Sequence, residues 1–145
     1  MPRRARSADW ICAAGGVALL SSLWLPWVRK GAGSTLRGHD LVDALVAIGR
    51  TYPGLSGARL TVLWYLVPAL GALAWVVVGM AGTASRVALV HAVVTVVVVA
   101  LVFLAFVRLA GLDDLGAGAF SALLGALAVA AAAVAARVSV RPSGR

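Results

Sequence analysis

The chain has 145 residues, enough for one domain, and its composition excludes a water-soluble one. Hydrophobic residues make up 62% and charged residues 12%, whereas soluble domains average about 45–50% and about 25%. A soluble fold of this size would leave much apolar surface in contact with water. The net charge of +8 is better explained by arginines that flank membrane spans and attract anionic lipid than by nucleic-acid binding. Composition therefore predicts an integral membrane protein whose main partner is the lipid bilayer.

Four segments are long and apolar enough to cross about 30 Å of hydrocarbon as helices. They cover residues 10–28, 60–81, 87–107 and 117–136. The third contains ten valines, which in water would favour a strand, but a lone strand in lipid leaves its backbone polar groups unpaired. We therefore predict an all-α fold, a four-transmembrane-helix bundle that forms a single integral membrane domain over residues 1–145.

The arginines predict how the spans are oriented. Seven arginines lie at the two ends of the chain and at the short connection between the second and third spans, with Arg86 counted among them. This distribution favours a cytoplasmic location for both termini. Arg3, Arg4 and Arg6 could belong to a signal peptide, but the apolar segment that follows is long and no A-x-A site comes after Val28, so we favour an uncleaved helix. The chain lacks Glu, Gln and Asn and is rich in Ala, Gly, Val and Arg, as in high-GC bacteria. We expect a multi-pass protein of the bacterial inner membrane.

The long loop between the first two spans, about residues 29–59, contains one amphipathic stretch. From Asp40 to Gly49 the apolar residues cover one arc of a helical wheel, with Asp40 placed to cap the start and Gly49 to end it. We predict a short amphipathic helix in this outer loop, either a membrane-surface anchor or a lid over the bundle. The loop is not a phosphate-binding loop, because no strand precedes its glycines and no Lys-Ser/Thr follows them.

Small residues recur at helical spacing in the first and fourth spans. Such stripes let membrane helices approach closely, so we predict that these faces are buried, within the bundle or in a partner. The predicted packing residues are Ala14, Ala18, Ser22, Gly118, Ala122 and Gly125. On the fourth span the larger residues Phe120, Leu123, Leu124, Leu127 and Val134 fall on the opposite face.

Aromatic residues are concentrated at the outer end. Eight of the ten map there: Trp24, Trp27, Tyr52, Trp64, Tyr65, Phe103, Phe106 and Phe120. Trp and Tyr favour the membrane interface because one end of each ring is apolar and the other forms hydrogen bonds. An anchoring belt would occupy both interfaces, so this one-sided cluster is a candidate interaction site, with Trp24, Trp27, Trp64 and Tyr65 as its main members.

A few polar residues complete the candidate site set. His91 is the one ionisable residue within a span; we favour a neutral imidazole that bonds a neighbouring helix, with a proton carrier as the alternative. Arg108 can reach the acidic pair Asp113 and Asp114, where Asp114 is expected to cap the fourth helix; the alternative is a functional ion site. His39 and Asp40 are further candidates in the outer loop.

The residue inventory excludes several classes of small membrane protein. Small multidrug exporters need a membrane-embedded Glu, fluoride channels use an Asn, and thiol-oxidising four-helix enzymes need a C-x-x-C pair. This chain has no Glu, no Asn and one cysteine. No metal-ligand cluster or Ser/His/Asp arrangement stands out. We expect no enzymatic activity, no cofactor and no bound metal.

The layout resembles a group of small four-helix membrane proteins of actinobacteria. The similarity rests on L-W-L-P-W at Leu23–Trp27, on the loop element Gly38-His39-Asp40, and on three further helices. Those proteins are described as conserved membrane proteins, so the resemblance implies a topology and not an activity.

Two functional hypotheses follow from the sequence. The first is an interaction or accessory subunit that packs with itself, as a homo-oligomer, or with a larger membrane complex. Its basis is the small-residue faces and the lack of charge within the spans. The second is a small transporter or flippase for an apolar or lipid-linked substrate, although transport sites usually place polar residues at mid-membrane.

Overall fold

The computed structural model describes residues 3–29, 37, 38, 40, 43 and 57–140. Apart from residues 38, 40 and 43, which are also helical, the helical residues of this part of the chain form four helices, and it contains no strand. They are α1 (Arg3–Ser21), α2 (Gly57–Ala81), α3 (Arg86–Ala110) and α4 (Ala117–Val140). The predicted all-α bundle is confirmed. Of the predicted amphipathic helix over 40–49, Asp40 and Asp43 are helical, and its other residues lie outside the described ones.

Three helices are long and apolar enough to cross a membrane, judged by length and composition. The qualifying segments are Thr61–Ala81, Arg86–Arg108 and Ala117–Ser139. They coincide within a few residues with the predicted second, third and fourth spans. The match reflects the strength of the signal, since each segment is almost uniformly apolar.

The first helix differs from its predicted span of 10–28, because α1 ends at Ser21. Its apolar part, Ser7–Ser21, is shorter than the other three. The hydroxyls of Ser21 and Ser22 donate to the carbonyls of Ala18 (2.9 Å) and Leu19 (2.6 Å), an alternative to the regular helical bonding. Pro26 follows, and a proline cannot donate a backbone hydrogen bond to a continuing helix. Residues 22–29 therefore leave the helical path.

The four helices form a ring in which each packs against its two neighbours. Helix α1 packs against α2 and α4, and α3 packs against the same two helices from the other side. Ser85 is the N-cap of α3, and its Oγ accepts a bond from the Ala88 N–H (3.0 Å). We call the end with Asp9, residues 82–85 and Arg137 the terminal end, and the end with residues 22–29 and 111–116 the loop end.

Helix α1 approaches its neighbours at two pairs of glycines. A Cβ on Gly15 would lie 2.8 Å from the Gly125 carbonyl oxygen of α4, and a Cβ on Gly125 would lie 2.8 Å from that of Gly15. On the other side of α1, a Cβ on Gly16 would lie 2.7 Å from the Gly71 carbonyl oxygen of α2, and a Cβ on Gly71 would lie 2.8 Å from that of Gly16. Since no real side chain tolerates such distances, only glycine permits these backbones to come so close.

The two predicted faces of α4 are confirmed. The small residues Gly118, Ala122, Gly125, Ala132 and Ala136 are buried, whereas Phe120, Leu124, Leu127 and Val134 are exposed and Leu123 is half-buried. In α1 the prediction was only partly right. Ala18 is half-buried and Ser22, just after the end of α1, is buried, but Ala14 is exposed. The stripe of α1 in contact with α4 and α2 runs through Gly15, Gly16 and Leu19 instead.

Candidate functional site

Three aromatic side chains fill the bundle at the loop end. Trp27, Trp64 and Phe106 are each only 1% exposed. The Trp27 ring lies 6.1 Å from that of Trp64 in an edge-to-face arrangement and 4.9 Å from that of Phe106. Such ring pairs contribute beyond the area they bury. This aromatic plug closes the described bundle at the loop end.

Hydrogen bonds hold the non-helical segment 22–29 inside the bundle. Its backbone pairs with the connection between α3 and α4: the N–H groups of Gly116 and Gly118 donate to the carbonyls of Trp27 (2.8 Å) and Pro26 (2.9 Å), and the Arg29 N–H donates to the Asp114 carbonyl (2.7 Å). The indole N–H of Trp27 donates to the Ser22 carbonyl (2.8 Å). Backbone that leaves a helix needs other partners for its polar groups, and these bonds provide some of them.

Glycines allow the segment to fit closely around the plug. A Cβ on Gly116 would collide with the Pro26 carbonyl, and one on Gly118 would lie 2.6 Å from the Trp27 ring. From the described part of the outer loop, a Cβ on Gly38 would lie 2.7 Å from both the Trp64 ring and the Leu23 carbonyl oxygen. The outer loop thus also contacts the plug.

The predicted aromatic site divides into a buried and an exposed part. Trp27 and Trp64 belong to the core, while Trp24 is 61% exposed and Tyr65 is about half exposed. Tyr65 packs edge-on against Trp64, with ring centroids 5.2 Å apart. The sequence prediction that all four form an interface cluster is therefore wrong for the two buried tryptophans. The signal for this difference is Pro26, which turns Trp27 back toward the bundle.

Asp114, in the connection between α3 and α4, does not cap α4 as predicted. Helix α4 begins at Ala117, so Asp114 lies ahead of its first turn and not at the N-cap. The Asp114 backbone carbonyl instead accepts from Arg29. Asp113 and Arg108 are both exposed. Asp40 is half-buried in the described part of the outer loop, and His39 lies outside the described residues.

At the terminal end, polar contacts tie the connection between α2 and α3 to the other two helices. The Thr83 hydroxyl donates to the Asp9 carboxylate of α1 (2.7 Å), and the Arg137 guanidinium of α4 donates to the Ser85 carbonyl (3.3 Å). Neither pair was predicted from the sequence. Their partners lie 74 and 52 residues apart, and no local pattern connects them.

His91 lies on the buried side of α3, at 5% exposure. Neither ring nitrogen has a hydrogen-bond partner within the described part of the chain. The expected bond to a neighbouring helix is thus not found there. Thr95, one turn further on, donates its hydroxyl to the His91 carbonyl (2.8 Å), so it does not serve the imidazole either.

Two grooves flank α3. The larger, between α2 and α3, has a volume of about 450 Å³, and the smaller, between α3 and α4, has about 200 Å³. His91 and Arg86 line the larger groove together with aliphatic residues from both helices. The smaller groove is lined by aliphatic residues alone. The two grooves therefore differ in size, while the surface of both is almost wholly apolar.

The chemistry available in the described residues is limited. No three His, Cys, Asp or Glu side chains come together there as a metal site would require. Comparison with family models, curated proteins and solved structures gives no match for this chain.

Proposed function

We propose that this chain is a bacterial inner-membrane protein that acts as an interaction or accessory subunit, packing with itself or with a larger membrane complex. The observation that carries the proposal is the close packing of the described helices. Glycine contacts bring α1 against α2 and α4, and the aromatic plug occupies the loop end. A bundle packed in this way offers its outer faces for contact with a partner.

The chemistry of the interior supports the same proposal. The buried polar residues of the described chain are Ser22, Thr83, His91 and Thr95. The hydroxyls of Ser22, Thr83 and Thr95 are used in bonds within the protein. Catalytic and ion-coupled sites need several convergent polar groups, and His91 alone does not form such a set.

Site-specific photocrosslinking in native membranes tests this role. One exposed position per helix would carry the crosslinker: Val17 in α1, Leu73 in α2, Val94 in α3 and Leu127 in α4. A protein–protein adduct of one defined mass from some of these positions and not others would support a specific contact face. A strictly monomeric particle in mild detergent, together with no protein adduct from any of the four helices, would contradict the proposal.

A second candidate function is movement of an apolar or lipid-linked substrate. The observation that favours it is the apolar groove of about 450 Å³ between α2 and α3. The aromatic plug argues against a passage through the bundle centre. Proteoliposomes loaded with fluorescent lipids and small apolar solutes provide the test. Transfer above that of protein-free liposomes would favour this candidate over the first, and its absence for every class would remove it.

A further inference from the structure

Helix α2 has a proline in its interior, at Pro68. A proline has no N–H with which to bond the carbonyl four residues earlier, here that of Trp64, and its ring crowds that carbonyl. Proline is also one of the few features that bend a helix sharply. The helical bonding of α2 is therefore weakest between Trp64 and Pro68.

The neighbouring helix α1 ends at about the same depth in the bundle. A Cβ on Gly71 of α2 would lie 3.2 Å from the Leu20 nitrogen of α1, and α1 ends one residue later, at Ser21. Pro68 lies three residues nearer to the loop end than Gly71, a rise of about 4.5 Å. The two helices thus lose their regular bonding at nearly one level, on the terminal side of Trp64.

The part of α2 on the terminal side of Pro68 is held by its backbone. A Cβ on Gly71 would lie 2.8 Å from the Gly16 carbonyl oxygen of α1, and a Cβ on Gly16 would lie 2.7 Å from that of Gly71. Backbones this close cannot separate without losing the contacts along both helices. This part of α2 is therefore fixed to α1.

The part on the loop side of Pro68 is anchored to the bundle through Trp64. Its ring packs edge-on against Trp27, with centroids 6.1 Å apart, but its indole N–H has no hydrogen-bond partner within the described part of the chain. The Trp27 indole N–H, in contrast, donates to the Ser22 carbonyl (2.8 Å). A buried donor without a partner offsets part of the stabilisation that burial of the ring contributes. Trp64 is therefore held less firmly than Trp27.

We propose that α2 bends at Pro68, and that its loop-side part, residues 57–67, opens away from the bundle as one unit while residues 69–81 stay packed against α1. The opening separates Trp64 from Trp27 and uncovers the aromatic plug at the loop end. This motion is separate from the proposed subunit contacts, because it takes place within one chain and does not require a partner.

Hydrogen–deuterium exchange of the full chain in lipid nanodiscs, measured residue by residue by NMR, tests this hinge. Residues 61–65 and 73–77 are compared, because they lie equally far from the two ends of α2. We expect faster exchange in residues 61–65, since so short a helix does not protect its amides once it is detached. Pro68→Ala, which restores the missing N–H, should slow exchange there about fivefold, as one added backbone hydrogen bond contributes, and should leave residues 73–77 unchanged.

Leu66→Ala is the matched control. It shortens an exposed side chain on the same part of α2 and changes no backbone bond, so exchange in residues 61–65 should equal that of the unmodified protein. Equal exchange in the two segments of the unmodified protein would overturn the proposal, and this comparison needs no variant to fold. An unchanged rate in Pro68→Ala, equal slowing of both segments, or the same slowing in Leu66→Ala would overturn it as well.

Discussion

The two sides of the bundle are packed in different ways. On the α1 side, glycines bring the backbones of α1, α2 and α4 so close that a single Cβ would collide. On the α3 side, α3 leaves a groove against each neighbour, and valines make up much of the surface with which α3 lines these grooves. The difference follows from side-chain shape. Glycine has no side chain to separate two helices, whereas valine is branched at Cβ and has few rotamers with which to fill a gap.

Small residues contribute more than large ones to the association of helices in a membrane. Lipid tails are as apolar as leucine, so burying a large side chain between helices gains little and close backbone packing gains more. Helix α4 follows this logic, with its small residues inside and its large ones outside. The α1 side is thus the more closely packed of the two, and the α3 side keeps a groove against each neighbour.

The largest effect is expected from removing the centre of the aromatic plug. Trp27→Ala should lower the free energy of unfolding by about 3–5 kcal/mol, since it leaves a cavity between Trp64 and Phe106. Unfolding by a denaturing detergent, followed by circular dichroism, measures the change. Trp24→Ala, at a side chain that is 61% exposed, should change stability by less than about 0.5 kcal/mol. Equal losses in the two variants would mean that Trp27 is not part of the core.

The next effect concerns the glycine contacts on the α1 side. Gly125→Ala should destabilise by about 1–3 kcal/mol, because the new methyl group meets the Gly15 carbonyl and the Leu19 side chain. Gly79→Ala is the control, since nothing lies within 4 Å of a Cβ at that position of α2. There the higher helix propensity of alanine should stabilise by about 0.5–1 kcal/mol. If thermal melts showed that both variants change the stability in the same direction, the close glycine contacts would not explain the effect of Gly125→Ala.

A smaller effect is expected from the polar contact on the same side. Ser121 donates its hydroxyl to the Ala18 carbonyl (2.8 Å), across from α4 to α1. Ser121→Ala should cost about 0.6–1 kcal/mol, as interhelical hydrogen bonds in membranes do. Ser139→Ala removes an exposed hydroxyl that bonds only within its own helix and should leave stability unchanged in the same assay. A loss in Ser139→Ala as large as that in Ser121→Ala would be inconsistent with an interhelical role.

The smallest effect is expected on the α3 side. Val90→Leu enlarges an exposed residue that lines the larger groove, and the open space can accept the added carbon. The free energy of unfolding should stay within about 0.5 kcal/mol of the unmodified value. A loss comparable to that of Gly125→Ala would show that this side is as closely packed as the other.

The sequence predicted the long helices well because their signal is local. Uniformly apolar runs predicted α2, α3 and α4. The spacing of the large residues in α4 predicted its two faces. The end of α1 was placed too late, since residues 22–28 are as apolar as the helix before them and only Pro26 and the paired serines indicate the change. The burial of Trp27 depends on bonds to Gly116 and Gly118, which are about 90 residues away in the chain, and periodicity carries no information about such contacts.

Helix α1 packs along α4 of the same chain, and small residues lie on the faces that meet. Ser21 and Ser121 lie where these helices meet, with their Oγ atoms 3.1 Å apart, so cysteines at the two positions would place their sulfur atoms close to each other. The test is oxidation of a Ser21→Cys, Ser121→Cys protein in which Cys12 is replaced by alanine. The packing predicts a disulfide within one chain, seen as a monomer whose two cysteines are linked by peptide mass mapping. Disulfide-linked dimers as the main product, or two free thiols after oxidation, would contradict it.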